Sequence, residues 1–208
     1  ASAIKNIQRD NWYGIYLSEI KIGYMHTTVD TVKFRGMDTY CITEVCKAKF
    51  GSFLEVDSET KTYLNADYSP IYESYTEKSK EGIKTNKKTV EIEYSNNKIH
   101  CKTTKNGAVT KKSIRIPTSV NLKTINEYSL GIKKLKVGEK LKTIDFNCED
   151  VDFTQYTHNV VRKEKVEIDS HVYDAFVVDM KDDTGNRSTS WIIDDGTEIK
   201  NREKQLQA

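Results

Sequence analysis

Along most of the chain apolar and polar residues alternate one by one, the pattern of a strand with one buried and one wet face. The clearest run lies at 39–50: Tyr40, Ile42, Cys46, Ala48 and Phe50 fall on one face, and Thr39, Thr43, Lys47 and Lys49 on the other. Before it, residues 12–17 and 22–34 flank Ser18-Glu19-Ile20-Lys21 and predict a hairpin, and Gly36-Met37-Asp38 predicts the turn into the alternating run. Gly51-Ser52 breaks the pattern, 53–64 resumes it, and Asn65-Ala66-Asp67 turns it toward 71–75. Val90, Ile92 and Tyr94 share a face, and Asn96-Asn97 predicts a tight turn into Ile99, Cys101 and Thr103. Asn106-Gly107 is the strongest hairpin signal, because both central positions of the favoured two-residue turn need positive φ. Its return strand, 108–116, ends at Pro117.

One stretch departs from period two. Leu122, Ile125, Leu130 and Ile132 do not alternate, and Ser119 or Asn121 in front of them predicts the start of an α-helix around residues 120–132, ending near Gly131. Alternation returns at 140–146, 153–161, 165–168, 172–180 and 188–193, separated by Asp169-Ser170, Asp182-Asp183-Thr184-Gly185 and Asp194-Asp195-Gly196. The last residues, 203–208, read as a solvated tail that frays or begins a helix. Successive hairpins imply antiparallel pairing, and one apolar face per strand must be buried. The expected fold is therefore mainly β: a large curved antiparallel meander, a half-barrel or open barrel, with one α-helix around residues 120–132. Residues 1–208 are expected to form a single β-rich domain with a soft division near 117–138.

Composition narrows the function classes. The 208 residues carry 33 Lys+Arg against 31 Asp+Glu, a formal charge of +2, so the basic excess of a dedicated nucleic-acid binder is missing. No apolar run approaches the ~20 residues of a helical membrane span. The chain opens on Ala1-Ser2-Ala3, a small-residue stretch of the kind that borders a signal-peptide cleavage site, which points to export.

Candidate chemistry is sparse. Cys41, Cys46, Cys101 and Cys148 allow three complete pairings, and no spacing selects one or requires any. Cys41 and Cys46 lie five apart on one strand and point to opposite faces, whereas Cys46 and Cys101 fall on apolar faces. Cys148 with His158 or His171 is the one constellation that suggests a nucleophile. Its setting, Asn147-Cys148-Glu149-Asp150, opposes thiolate formation because adjacent carboxylates raise the thiol pKa. His26 and His100 complete a dispersed set of histidines, and no Cys-x-x-Cys, His-Glu-x-x-His, calcium-loop or glycine-rich phosphate motif occurs. No cofactor, metal site or catalytic residue is assigned. The lysines between 78 and 88 read as a solvated hairpin, and the Asp pairs beside Gly185 and Gly196 read as turn formers. Twelve tyrosines exceed what a minimal core needs and suggest a binding surface for a sugar, peptide or lipid.

Two stretches carry a family resemblance. Trp12-Tyr13-Gly14-Ile15-Tyr16, followed by Ile22-Gly23-Tyr24-Met25-His26-Thr27-Thr28-Val29, resembles the opening of the region that precedes the catalytic domain in some bacterial transglutaminase-like proteins. Ser188-Thr189-Ser190-Trp191-Ile192-Ile193-Asp194-Asp195-Gly196 is similar to the closing strand and turn of that region. The resemblance implies a non-catalytic accessory domain, exported to the periplasm or cell envelope, with the curved sheet and helix of lipoprotein carriers. The preferred expectation is a non-enzymatic extracytoplasmic domain that binds a peptide, glycan or lipid, or that positions a neighbouring catalytic domain. The alternatives are a cysteine-dependent transglutaminase- or protease-like enzyme using Cys148, and a self-associating structural protein.

Overall fold

The computed structural model describes residues 7–95, 97–147 and 152–204. They form two compact units that divide after Pro117, inside the stretch that the sequence marks as a soft division. The fold is mainly β and antiparallel with one short helix, as the alternation predicts, but the meander does not run through as one sheet. Eight strands form one sheet and five form another. Pro117 has no N–H to continue a ladder, and the residues after it lack the period-two pattern, so strand succession stops there.

The first unit contains β1 (Arg9–Leu17), β2 (Ile20–Phe34), β3 (Met37–Phe50), β4 (Leu54–Leu64), β5 (Pro70–Glu81), β6 (Lys84–Ser95), β7 (Lys98–Lys105) and β8 (Ala108–Arg115). Each pairs with its neighbours in sequence, and β1 and β8 are the two free edges, so the sheet is open. Two-residue turns fix the registers: Ser18-Glu19, Arg35-Gly36 and Asn106-Gly107 all have positive φ at both positions, the geometry that matches strand twist. In that register Val29, Tyr40, Leu64, Val90, Ile92, Ile99 and Cys101 share one face, and all are buried. The opposite face is charged along much of its area yet also buries Thr39 and Cys41. Aromatic rings account for this. Phe34 stacks on Tyr63 at 4.0 Å and faces Tyr72 at 5.5 Å, and Tyr63 stands directly across from Cys41 in the ladder.

The second unit contains α1 (Thr124–Ser129), β9 (Lys140–Asn147), β10 (Asp152–Ile168), β11 (His171–Asp182), β12 (Arg187–Ile192) and β13 (Glu198–Lys204), with strand order β13-β12-β11-β10-β9. The helix is shorter than the expected 120–132. Its N-cap is Lys123 without a side-chain cap, while the Asn121 carboxamide oxygen accepts the Lys123 N–H and so shapes the turn before the helix instead of capping it. Gly131, at φ 66°, then ends the helical path. The segments expected at 153–161 and 165–168 are one strand: the ladder skips Val161 between Val160 and Arg162, and this bulge reverses the alternation that otherwise marks a continuous strand. β13 corrects the reading of the tail, since Glu203 and Lys204 belong to a strand whose charged composition hides it. Phe146, Val160, Ala175, Val177 and Val178 supply the buried apolar residues of this sheet. No helix among the described residues is long and apolar enough to cross a membrane.

Candidate functional site

The ladder of the first unit aligns one residue from each of six strands in a single cross-strand row: Cys41, Tyr63, Tyr72, Glu93, His100 and Ser113. The row two residues away contains Glu91, Lys102 and Lys111. Alternation puts both rows on the face opposite the Tyr40 core. Between them runs a groove of about 440 Å³ lined by Tyr72, Glu91, Glu93, His100, Lys102 and Lys111 among others. That volume lies within the range of small-ligand sites.

The aromatic cluster forms one end of the groove. The Arg35 guanidinium sits 5.1 Å from the Phe34 ring and 5.5 Å from the Tyr72 ring and reaches across to Glu93 in an ion pair. The contact spans 58 residues of sequence, and stacking on two rings pre-orients the guanidinium for it. Beside it, Lys102 Nζ donates to Glu91 Oε2 at 2.6 Å and the Tyr72 hydroxyl donates to Glu91 Oε1 at 3.3 Å. The lysine holds the Glu91 carboxyl below its ordinary range, while burial, aided by Glu91, pushes the Tyr72 phenol up. At neutral pH the floor therefore presents ionised Glu91 and a neutral Tyr72 that stays a donor. At the far end Ser113 Oγ and His100 Nδ1 lie 2.9 Å apart. The Ser113 hydroxyl also lies 3.3 Å from the Ile99 carbonyl, which competes for its single proton, and Glu93, across from His100, is paired with Arg35.

Among the described residues, those singled out in the sequence do not converge. Cys148 lies outside the described residues. Cys41 and Cys101 are buried, and Cys46 is half-buried. Burial, with Asp57 and Glu44 adding to it, pushes the Cys46 thiol up and keeps it protonated. His26 stacks on Trp12 at 4.0 Å and bonds Asp10 at 2.8 Å. His171 bonds the Asp169 carbonyl at 3.0 Å in the turn between β10 and β11. Asp182 accepts from the Thr184 hydroxyl at 2.7 Å and the Asn186 N–H at 2.8 Å, and Asp195 accepts from Thr197 at 2.8 Å, which makes both pairs builders of turns. Among the described residues no group of three or more His, Cys, Asp and Glu side chains is placed to hold a metal ion.

His158 is half-buried in the second unit, and its Nε2 lies 2.8 Å from Thr143 Oγ1. Burial lowers its pKa from the ordinary value of 6.5, so the unfolded chain binds more protons than the folded one just below pH 6.5. Stability from this group is present above pH 6.5 and falls as pH drops through that value toward the folded pKa. His158→Gln keeps a partner for Thr143 and removes the titration. The variant is expected to flatten the loss of urea midpoint between about pH 7 and pH 5, at a cost of about 1 kcal/mol at pH 7; an unchanged slope would contradict the assignment.

Comparisons with known proteins place these features in a family. Residues 13–204 match the family described as "Protein of unknown function (DUF3108)". Among solved structures, the chain is similar to the crystal structure of a β-barrel-like protein of the domain of unknown function DUF1849 from Brucella abortus, at 15% identity and a TM-score of 0.49 over 88% of this chain and 89% of that one. No curated protein matches. Since the match runs from β1 through β13 and so takes in both sheets and the groove, the chain belongs to the DUF3108 family.

Proposed function

We propose that this chain is a non-catalytic binding module whose eight-stranded sheet holds a neutral glycan in the Tyr72 groove. The observation that carries the reading is the lining. One aromatic wall stands beside charges that are already paired, Glu91 with Lys102 and Glu93 with Arg35. Paired carboxylates and cations offer acceptors and donors side by side, and Lys111 and Lys112 add further donors along the groove. A saccharide hydroxyl, which both donates and accepts, matches that arrangement, and its ring C–H face matches Tyr72. A hydrocarbon chain does not match: three grooves of this sheet are lined chiefly by Thr, Lys, Asn, Glu and His. A peptide strand would use an open sheet edge, whereas this groove crosses four strands. Self-association through β8 is opposed by Lys111 and Lys112 in the middle of that edge.

The extracytoplasmic setting and the service to a neighbouring catalytic domain belong to the same proposal. Both rest on the resemblance to the region that precedes transglutaminase-like domains, and such a module would hold a glycan where its neighbour works. Calorimetric titration with neutral trisaccharides of glucose and of N-acetylglucosamine tests the binding. Micromolar to millimolar affinity is expected for at least one, weakened at least about tenfold by Tyr72→Ala and less by Tyr72→Phe, which keeps the ring. Equal binding by wild type and Tyr72→Ala would contradict the reading, and so would turnover of the sugar in the cell.

A further inference from the structure

We infer that the chain docks on an anionic lipid bilayer through one end of its eight-stranded sheet. Consecutive antiparallel pairing places the β1–β2, β3–β4, β5–β6 and β7–β8 hairpins at one end and the other three turns at the opposite end. The first three hairpins are level, because Gly23 stands across from Ala48, Lys49 from Glu55, and Glu55 from Lys80. The Gly82 N–H donates to the Phe53 carbonyl at 3.1 Å, which fixes two of the tips side by side. Each level tip turns large apolar side chains to solvent: Leu17 and Ile20 are 48% and 69% exposed, Phe53 64% and Ile83 101%. Tight turns do not need such residues, since Gly, Asn, Asp and Ser supply the backbone geometry. At the opposite end the exposed large apolar side chain is Met37, among the described residues.

Charge selects the occupant. Between residues 77 and 88 five lysines stand against two glutamates, a local excess in a chain whose whole net charge is +2. Lys80 and Lys84 flank the Gly82-Ile83 tip within about two residues, or roughly 7 Å along the strand. An apolar side chain at the tip with lysines a few ångström behind it suits an anionic bilayer: the tip enters the boundary of the acyl chains while the ammonium groups remain among lipid phosphates. Neighbouring tips are two strands, about 10 Å, apart. A fluid interior closes around separated fingers, whereas a folded protein face would need a matching pit for each. The Gly82-Ile83 tip lies ten residues, about 33 Å, along the chain of β6 from Glu93 in the groove, so this inference does not rest on the glycan reading.

Sedimentation of the full chain with vesicles tests it. Partition onto phosphatidylcholine vesicles containing 30 mol% phosphatidylglycerol is expected to exceed that onto phosphatidylcholine alone at least about tenfold, and to weaken in 0.5 M salt. Phe53→Ser with Ile83→Ser, both at exposed positions, is expected to lower it by about another tenfold while circular dichroism stays unchanged. In an Ile83→Trp variant with both natural tryptophans replaced by Phe, the emission of the introduced indole is expected to shift to the blue on anionic vesicles. Absence of partition, wild-type partition by the double serine variant, or unshifted emission from the Ile83→Trp variant would each overturn the inference.

Discussion

Truncation of Leu64 to alanine is expected to remove about 3 kcal/mol from the first unit, within the ~2–5 kcal/mol range of leucine-to-alanine changes at fully enclosed sites. Leu64 is 0% exposed and stands opposite Tyr40, which is 1% exposed. Two features keep the site from collapsing into the space left behind. The ladder to β5 is irregular at Tyr63/Leu64, and the chain is held after Leu64 by the bond from the Asn65 N–H to the Ser69 carbonyl. The lost methyl groups therefore leave a cavity, and the cost includes the lost packing as well as the lost transfer energy. Urea denaturation followed through Trp12, with Trp191 replaced by Phe, reads the first unit. A loss under about 1 kcal/mol would show that Leu64 is not part of an enclosed core.

Gly131→Ala is expected to be at least as damaging in the second unit. Gly131 has φ 66°, and a Cβ built there would lie 2.0 Å from the Asp195 carbonyl oxygen. The contact is reciprocal: at Gly196, φ 88°, a Cβ would meet the Tyr128 carbonyl oxygen at 2.3 Å and the Gly131 nitrogen at 2.7 Å. The end of α1 and the β12–β13 turn thus touch backbone to backbone, and neither can give without moving its element. Lys134 adds to the same contact by donating to the Asp194 carbonyl at 2.6 Å. Positive φ alone costs an alanine ~1–2 kcal/mol, and displacement of the turn raises the total to about 3 kcal/mol or more. Gly82→Ala is the control, because Gly82 has φ 57° and nothing within 4 Å of its Cβ position. It should show the conformational cost alone. Equal losses at Gly131 and Gly82 would mean that close approach contributes nothing.

The strands are legible in the sequence because alternation is a local property: Tyr40, Ile42 and Ala48 take the same face in the fold as in the pattern. Burial of Thr39 and Cys41 is not, since it depends on Phe34, Tyr63 and Tyr72, which only the ladder brings together. The helix is shorter than expected because the side chain expected to cap it bonds the residue just before the first turn. The single β10 is obscured by one extra residue, Val161, and β13 by its charge. The candidate site is more legible than its scattered residues suggest. His100 and Ser113 each stand six residues from the Asn106-Gly107 turn, and Tyr72 and Glu93 each ten from Gly82-Ile83, so symmetry about two turns already sets them across from one another. The second of those turns reads as a solvated lysine hairpin in the sequence, which hides its role as a register mark. A slip of one residue there would send half the row to the other face.

Backbone amide NMR of the full chain titrated with a neutral trisaccharide tests the groove on the Tyr72 face most directly. Saturable shifts are expected to concentrate on Tyr72, Glu91, Glu93, His100, Lys102 and Ser113 and to leave the Tyr40 face and the second unit near their free positions. Saturable shifts centred anywhere else, or none at millimolar sugar for either the glucose or the N-acetylglucosamine series, would contradict it.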